Sequence, residues 1–139
     1  MAAYNKFNCF VEDIAEKVHN LGADTLKIAL TNTQPLATNT ILANITQIGA
    51  GNGYATGGNT ATLSTSQQTS GTYKLVLADV TFTATGGNMN AFQWAVLYNS
   101  TAASGNLIGW YDYGTALTIT AGNSFTVDFD GTNGVLTIA

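Results

Sequence analysis

Near the start of the chain, apolar residues recur every three or four positions, the spacing of one face of an α-helix. The pattern predicts an amphipathic helix over residues 7–21, with its charged residues off the stripe and Gly22 after its last turn. We expect it to pack on a sheet; because the spacing is close to 3.5, contact between helices of neighbouring subunits is the alternative. The apolar face consists of Phe7, Phe10, Val11, Ile14, Val18 and Leu21.

The period then changes from helical to alternating. Apolar Leu26, Ile28 and Leu30 lie two positions apart, which predicts a strand with one face on a core. Pro35, the only proline, follows this strand. Residues 40–48 fit a short helix and a strand equally well.

The middle of the chain carries no charged residue between Lys27 and Lys74. Residues 49–58 are rich in glycine, and residues 60–72 consist mainly of Thr, Ser and Gln. A solvated loop normally carries some charge. This long neutral segment is expected to be either a surface loop or, because it lacks charge, an arm that packs on a partner.

From Tyr73 onward, short alternating segments are separated by turn residues such as Gly86-Gly87-Asn88. Strands at this spacing are typical of antiparallel sheets packed as sandwiches or barrels. The sequence thus predicts a mainly β fold, an antiparallel β-sandwich or barrel that is jelly-roll-like, with one N-terminal α-helix. Residues 1–139 form one predicted domain. The predicted strands begin near Tyr73, Val80, Phe92, Leu107, Leu117, Phe125 and Leu136.

Charge and composition exclude several classes of protein. Only 9% of residues are charged, the net charge is −4 and there is no arginine. Binding to nucleic-acid phosphates needs clustered Lys and Arg, so no nucleic-acid partner is expected. No apolar run is long enough for a transmembrane helix, so no membrane partner is expected either. One Cys and one His cannot build a four-ligand zinc site, and no metal or cofactor is predicted.

The N-terminus lacks a basic segment followed by an uninterrupted apolar run, so synthesis in the cytoplasm is expected. The surface predicted from the composition is nevertheless rich in uncharged Thr, Asn and Gly. Hydrogen bonds of such side chains depend little on ionic strength, unlike exposed ion pairs. This combination suggests a virion component.

Single residues that resemble catalytic groups have simpler interpretations. His19 lies at the end of the predicted helix without an evident nucleophile, so a structural role is expected. Cys9 lies among apolar residues and is expected to be a small buried side chain. Gly49, Gly51 and Gly53 lack the flanking residues of a phosphate-binding loop.

Two further candidate functional sites consist of carboxylates and of aromatic residues. Asp128 and Asp130 share one strand face, and solvent exposure is favoured over calcium binding or acid–base catalysis. Asp112 is interpreted in the same way, or as the anchor of the next turn. Adjacent Trp110 and Tyr111 must point to opposite sheet faces, so one of them is a candidate contact residue outside the core.

Several segments resemble small structural proteins encoded beside the head genes of tailed bacteriophages. The resemblance covers nearly the whole chain, including TLKIALTNTQP, TNTILANITQI and GNGYATGGNTATL in the first half. In the second half it rests on AVLYN, LIGWYDYG and the final FDGTNGVLTI. No catalytic residue is carried over from this family.

The resemblance implies a capsid decoration, or cement, protein on the outer surface of the virion, with the major capsid protein as its partner. An isoelectric point near 4.4 agrees with a position outside the DNA-filled shell. Bridging capsomers favours a homo-oligomer, with a trimer expected and a dimer as the alternative. A carbohydrate- or receptor-binding module of a tail or head fibre is the second hypothesis, and a glycan hydrolase the third. The candidate interface residues are Phe7, Phe10, Val11, Val18, Tyr54, Trp110 and Tyr111.

Overall fold

The computed structural model describes residues 2–139 and confirms a mainly β fold with one N-terminal helix. The helix α1 spans Cys9–Ala15, and a 3-10 turn spans Leu42–Asn44. The strands are β1 (Ala3–Lys6), β2 (Leu26–Thr31), β3 (Asn59–Ala61), β4 (Leu63–Thr69), β5 (Thr72–Leu77), β6 (Val80–Thr83), β7 (Phe92–Asn99), β8 (Leu107–Leu117), β9 (Ser124–Val127) and β10 (Leu136–Ile138).

The strands form three antiparallel sheets. The largest has five strands in the order β1-β8-β7-β2-β3. The two others are a three-stranded sheet, β10-β5-β4, and the pair β6-β9. Within residues 2–139 these sheets do not close into a barrel, so each keeps edge strands.

The main core lies between the five-stranded sheet and the two smaller sheets. The alternation in β2 sends Leu26, Ile28 and Leu30 into this core. Leu75 of β5 and Phe82 of β6 reach the same core from the smaller sheets. Burial of these side chains is the main favourable term that holds the sheets face to face.

The opposite face of the five-stranded sheet is also covered. Ala29, Val96 and Trp110 form a second buried cluster there, together with Phe7 from the segment before α1. Ile45, just after the 3-10 turn, covers this cluster from outside the sheet. The segment 40–48, which the sequence leaves open between helix and strand, therefore contains a single 3-10 turn.

The predicted helix over residues 7–21 is wrong in length. The helix ends at Ala15, and Lys17 takes a left-handed conformation with φ of 66°. The backbone N–H of Val18 then bonds to the carbonyl of Asp13 at 2.8 Å, the closing bond of a Schellman motif. Val18 thus lies beyond the helix, and the turn carries the chain on to the buried His19 and Leu21.

Residues 60–72 do not form a loop but mostly β-structure. Thr and Ser side chains suit an exposed strand, and β4 pairs with β5 from Leu63↔Leu77 to Thr69↔Thr72. Ser70 and Gly71, with φ of 51° and 84°, close this hairpin as a two-residue turn. The absence of charge in this segment misled the sequence interpretation, because charge is not required for a solvent-facing strand.

Strand β1 has no counterpart in the sequence prediction. It pairs with β8, with Tyr4 opposite Tyr111 and Lys6 opposite Gly109. The Tyr4 ring lies over Gly109, where an added Cβ would approach it to 2.5 Å. The missing side chain of Gly109 therefore makes room for the residue that docks β1 on the sheet.

Candidate interaction surfaces

Most of the seven predicted interface residues are buried within the chain itself. Five of them are at most 9% exposed, so their side chains are not available to a partner in this fold: Phe7, Phe10, Tyr54, Trp110 and Tyr111. Val18 is half-buried. Val11 is 53% exposed and is the member of the set that presents an apolar side chain to solvent.

Trp110 and Tyr111 point to opposite faces of β8, but neither is left outside the core. Trp110 packs on Phe7 with ring centroids 4.5 Å apart in the second cluster. Tyr111 packs on Phe129 at 5.8 Å in the main core, and burial raises the pKa of its hydroxyl well above the usual value. The expectation of one exposed member is wrong because both faces of this sheet are covered.

Two exposed apolar side chains are found instead on segments that meet near the start of α1. Leu36 is 59% exposed, and the segment that carries it is joined to the segment before α1 by the bond from Asn8 N–H to the Ala37 carbonyl, at 2.9 Å. We call Val11 and Leu36 the Val11/Leu36 surface. Sequence reasoning missed Leu36, although its position directly after the only proline in an uncharged segment was a usable signal.

Strand β4 presents a second exposed surface. It bonds to β5 along one edge, and no backbone hydrogen bond of the described residues involves its other edge. Its sequence, LSTSQQT, contains neither a charged residue nor a proline. An unpaired strand edge is a template for pairing with another polypeptide.

Tyr54, in the GYATGG segment, has an internal structural role. Its hydroxyl donates to Gln47 Oε1 at 2.6 Å and accepts from the backbone N–H of Leu30 at 3.2 Å. The same Gln47 oxygen accepts the Gly57 N–H, and an added Cβ at Gly58 would collide with the Ile28 carbonyl. The glycine-rich segment is therefore packed directly on β2 rather than shaped for a phosphate.

His19 belongs to a buried polar cluster, as its predicted structural role requires. Asn99 Nδ2 lies 3.1 Å from His19 Nδ1 and 2.6 Å from Asp24 Oδ2, while Asn99 Oδ1 accepts two backbone N–H groups. His19 Nε2 faces Asp13 at 3.8 Å. Burial has the larger effect on the pKa of His19 and lowers it overall, although the carboxylates of Asp13 and Asp24 raise it.

A cleft of about 380 Å³ opens beside this cluster, lined by Ile14, Lys17, His19, Leu21, Ser66, Tyr73 and Ile138, among others. The Ser66 hydroxyl bonds to the Tyr73 hydroxyl at 2.8 Å. The hydrogen-bond partner of His19 is Asn99, so the cleft does not pair its serine with its histidine. The geometry offers a groove without an activated nucleophile.

Cys9 and the carboxylates hold local structure. The Cys9 thiol lies within 3.7 Å of three backbone carbonyls, and burial raises its pKa, with Asp13 adding to the effect, so the thiolate is disfavoured. Asp112 accepts from Gly114 N–H at 2.7 Å, which lowers its pKa. Both residues lie within β8, where the pairing with β7 shifts register between Phe92 and Trp94, so Asp112 anchors an irregularity of the strand and not a turn. Asp130 accepts the N–H groups of residues 132 and 133. Asp128 is exposed, as predicted, but it and Asp130 do not share a strand face, because β9 ends at Val127.

Within residues 2–139, no group of three or more His, Cys, Asp and Glu side chains is arranged to hold a metal ion. No helix in the same range is both long and apolar enough to cross a bilayer.

Comparison with known proteins adds no relative: no family model, no curated protein and no solved structure matches this chain.

Proposed function

We propose that this protein is a non-enzymatic bacteriophage capsid decoration protein. In this proposal it binds the outer surface of the major capsid shell as a homo-oligomer and bridges capsomers. It is made in the host cytoplasm and attaches to the particle there. The resemblance of its GYATGG, LIGWYDYG and FDGTNGVLTI segments to phage head-region proteins motivates the assignment.

The observation that carries the proposal is the uncharged chain between Lys27 and Lys74. In the fold this segment supplies the loop that exposes Leu36 and the uncharged strand β4. A neutral, partly apolar surface binds by burial and hydrogen bonding, both of which depend little on salt. Such contacts suit a particle that meets variable ionic strength, and stable attachment needs roughly 1,000 Å² or more of contact.

The glycan-binding alternative receives less support from the fold. Stacking on sugars needs exposed aromatic faces. Trp110 and Tyr111 are buried, and Trp94 is half-buried opposite Asp112 in the sheet. The Val11/Leu36 surface is aliphatic, which favours a protein partner.

The test is reconstitution on particles that lack this protein. Particles assembled with this gene deleted are mixed with the purified chain, sedimented, and imaged by electron cryo-microscopy. We expect cosedimentation that changes less than about threefold between low and high salt, with added density on the outer shell where capsomers meet. Absence of binding, or density confined to the tail, contradicts the proposal.

A variant pair locates the contact. Val11→Asp places a charge on the Val11/Leu36 surface and is expected to weaken shell binding at least about tenfold, because the charge loses water in the contact. Ile138→Asp is the matched control, since Ile138 is a 38% exposed aliphatic residue on β10. Equal binding by both variants and the unchanged chain removes the Val11/Leu36 surface from the proposal.

A further inference from the structure

The free edge of β4 is long and unprotected. The strand has seven residues, whereas the strands at the other ends of the two larger sheets, β1, β3 and β10, have three or four. Natural proteins protect edges with short strands, charged side chains, proline or bulges. The one irregularity of β4 lies between Leu63 and Thr65, which leaves residues 65–69 regular.

The hairpin turn fixes which backbone groups face outward. A two-residue turn at Ser70 and Gly71 makes Thr69 and Thr72 a hydrogen-bonded pair. Hydrogen-bonded and non-hydrogen-bonded pairs then alternate along β4. Ser66 and Gln68 fall in non-hydrogen-bonded pairs, so their N–H and C=O groups point away from β5, toward the free edge.

The side chains on this strand suit pairing with an identical strand. Across a two-fold axis, an antiparallel strand places each residue opposite itself or its near neighbours, so any charge would meet a like charge. In β4 the groups that meet are Thr, Ser and Gln, which hydrogen-bond to their own kind. If the two-fold axis passes through Ser66, this residue lies opposite Ser66 of the second copy. If it passes through Gln67, Ser66 lies opposite Gln68 of the second copy. In both cases the outward N–H and C=O groups of the two copies face each other and can hydrogen-bond.

We propose that the free edge of β4 binds a second copy of this chain, pairing antiparallel with the same strand across a two-fold axis. The two three-stranded sheets then join into one continuous sheet. The row formed by exposed Gln67, half-buried Lys74 and exposed Thr137 continues across the junction on its outer face. This arrangement favours the dimer over the trimer that the sequence analysis expects for a protein that bridges capsomers.

The experiment compares two lysine variants of the purified full chain by sedimentation equilibrium. Gln67→Lys puts a charge beside the two-fold axis, and Thr137→Lys puts the same charge on β10 at the other side of the sheet. Gln67 and Thr137 both lie opposite Lys74 and are both exposed, so the two variants carry the same internal repulsion. We expect the unchanged chain and Thr137→Lys to be dimers, and Gln67→Lys to raise the dimer dissociation constant at least about tenfold.

Amide hydrogen exchange gives an independent measurement. The N–H groups of Ser66 and Gln68 are expected to exchange slowly in the dimer and quickly on dilution to monomer, because only the second copy covers them. Gln68→Pro provides a second variant, because it removes one outward N–H without removing a β4–β5 backbone bond. It also removes the bond from Gly71 N–H to Gln68 Oε1, at 3.0 Å, in the exposed hairpin turn, and is expected to give a folded monomer.

Four results overturn the inference: a monomer at all concentrations, a trimer, a dimer whose Ser66 and Gln68 amides remain unprotected, or equal association by the two lysine variants. The inference goes beyond the proposed function. All of its measurements use the chain without shells, so its failure is distinguishable from failure of shell binding.

Discussion

Asn99 donates a hydrogen bond from its side-chain amide to His19 Nδ1, at 3.1 Å, in a fully buried position. The second amide hydrogen goes to Asp24, and the amide oxygen accepts from residues 101 and 102. All four hydrogen-bonding positions of this side chain are therefore used. The bond also requires Nδ1 to be unprotonated, so it favours the neutral form of His19 in the folded protein, in the same direction as burial.

Replacing Asn99 with alanine is expected to lower the free energy of unfolding by about 3 to 5 kcal/mol. The change leaves His19 Nδ1 without a partner in a buried site, which costs about 1 to 3 kcal/mol. It also removes the acceptor of two backbone N–H groups at residues 101 and 102, where each loss costs less because water reaches this exposed to half-buried turn. Urea unfolding followed by circular dichroism measures the difference. Asn90→Ala is the control, because Asn90 is exposed and makes one bond of 3.3 Å; it is expected to cost less than about 0.5 kcal/mol. Similar costs for the two variants would contradict a structural role for the cluster.

The same bond makes stability depend on pH. Burial lowers the pKa of His19 from its usual 6.5, so the unfolded chain takes up a proton before the folded chain does. Stability is therefore fully present above pH 6.5, falls as the pH drops through that value, and levels off below the folded-state pKa. Urea unfolding between pH 8 and about pH 5 measures this, above the range in which aspartates titrate. In His19→Gln the stability loss over this interval is expected to shrink; an unchanged pH profile would show that another group titrates.

Much of the fold could be predicted because a strand with one buried face has an apolar residue at every second position of its sequence. The alternation at Leu26, Ile28 and Leu30 has its counterpart in β2, and that at Phe82 in β6. The helix end could not be predicted in the same way. Val18 and Leu21 continue the helical spacing of apolar residues. The helix nevertheless ends before them because Lys17 adopts a left-handed conformation, and the spacing of apolar residues contains no information about that conformation.

The candidate surfaces were harder to predict, since sequence identifies apolar residues but not which side of a sheet is covered. Phe7 and Trp110 looked available because the layer that buries them comes from the irregular segment around Ile45. Leu36 and the β4 edge went unrecognised because exposure follows from tertiary placement. The polar residues of β4 show no period that would separate a strand from a loop.

Val11 and Phe10 are neighbours on α1 with opposite environments, so their substitutions should differ sharply. Val11 is 53% exposed, and Val11→Asp is expected to change the free energy of unfolding by less than about 0.5 kcal/mol, helped by the preference for acidic groups in a first helical turn. Phe10 is 5% exposed and stacks on His19 at 5.6 Å. Phe10→Ala is expected to cost about 3 to 5 kcal/mol. Chemical unfolding of both variants decides this, and severe destabilisation by Val11→Asp would mean that Val11 is part of the core.

Gly109 and Tyr4 give the sharpest test of how β1 is held. In Gly109→Ala the new methyl group would lie 2.5 Å from the Tyr4 ring, so the ring must move and β1 must shift from β8. The expected cost is about 1 to 3 kcal/mol, as for overpacking in a core, with faster amide exchange along β1. Gly131→Ala is the matched control, because an added Cβ there meets nothing within 4 Å. If Gly109→Ala keeps both its stability and the exchange protection of β1, the Tyr4 ring does not dock this strand. If Gly131→Ala costs as much, the effect belongs to losing a glycine and not to the contact with Tyr4.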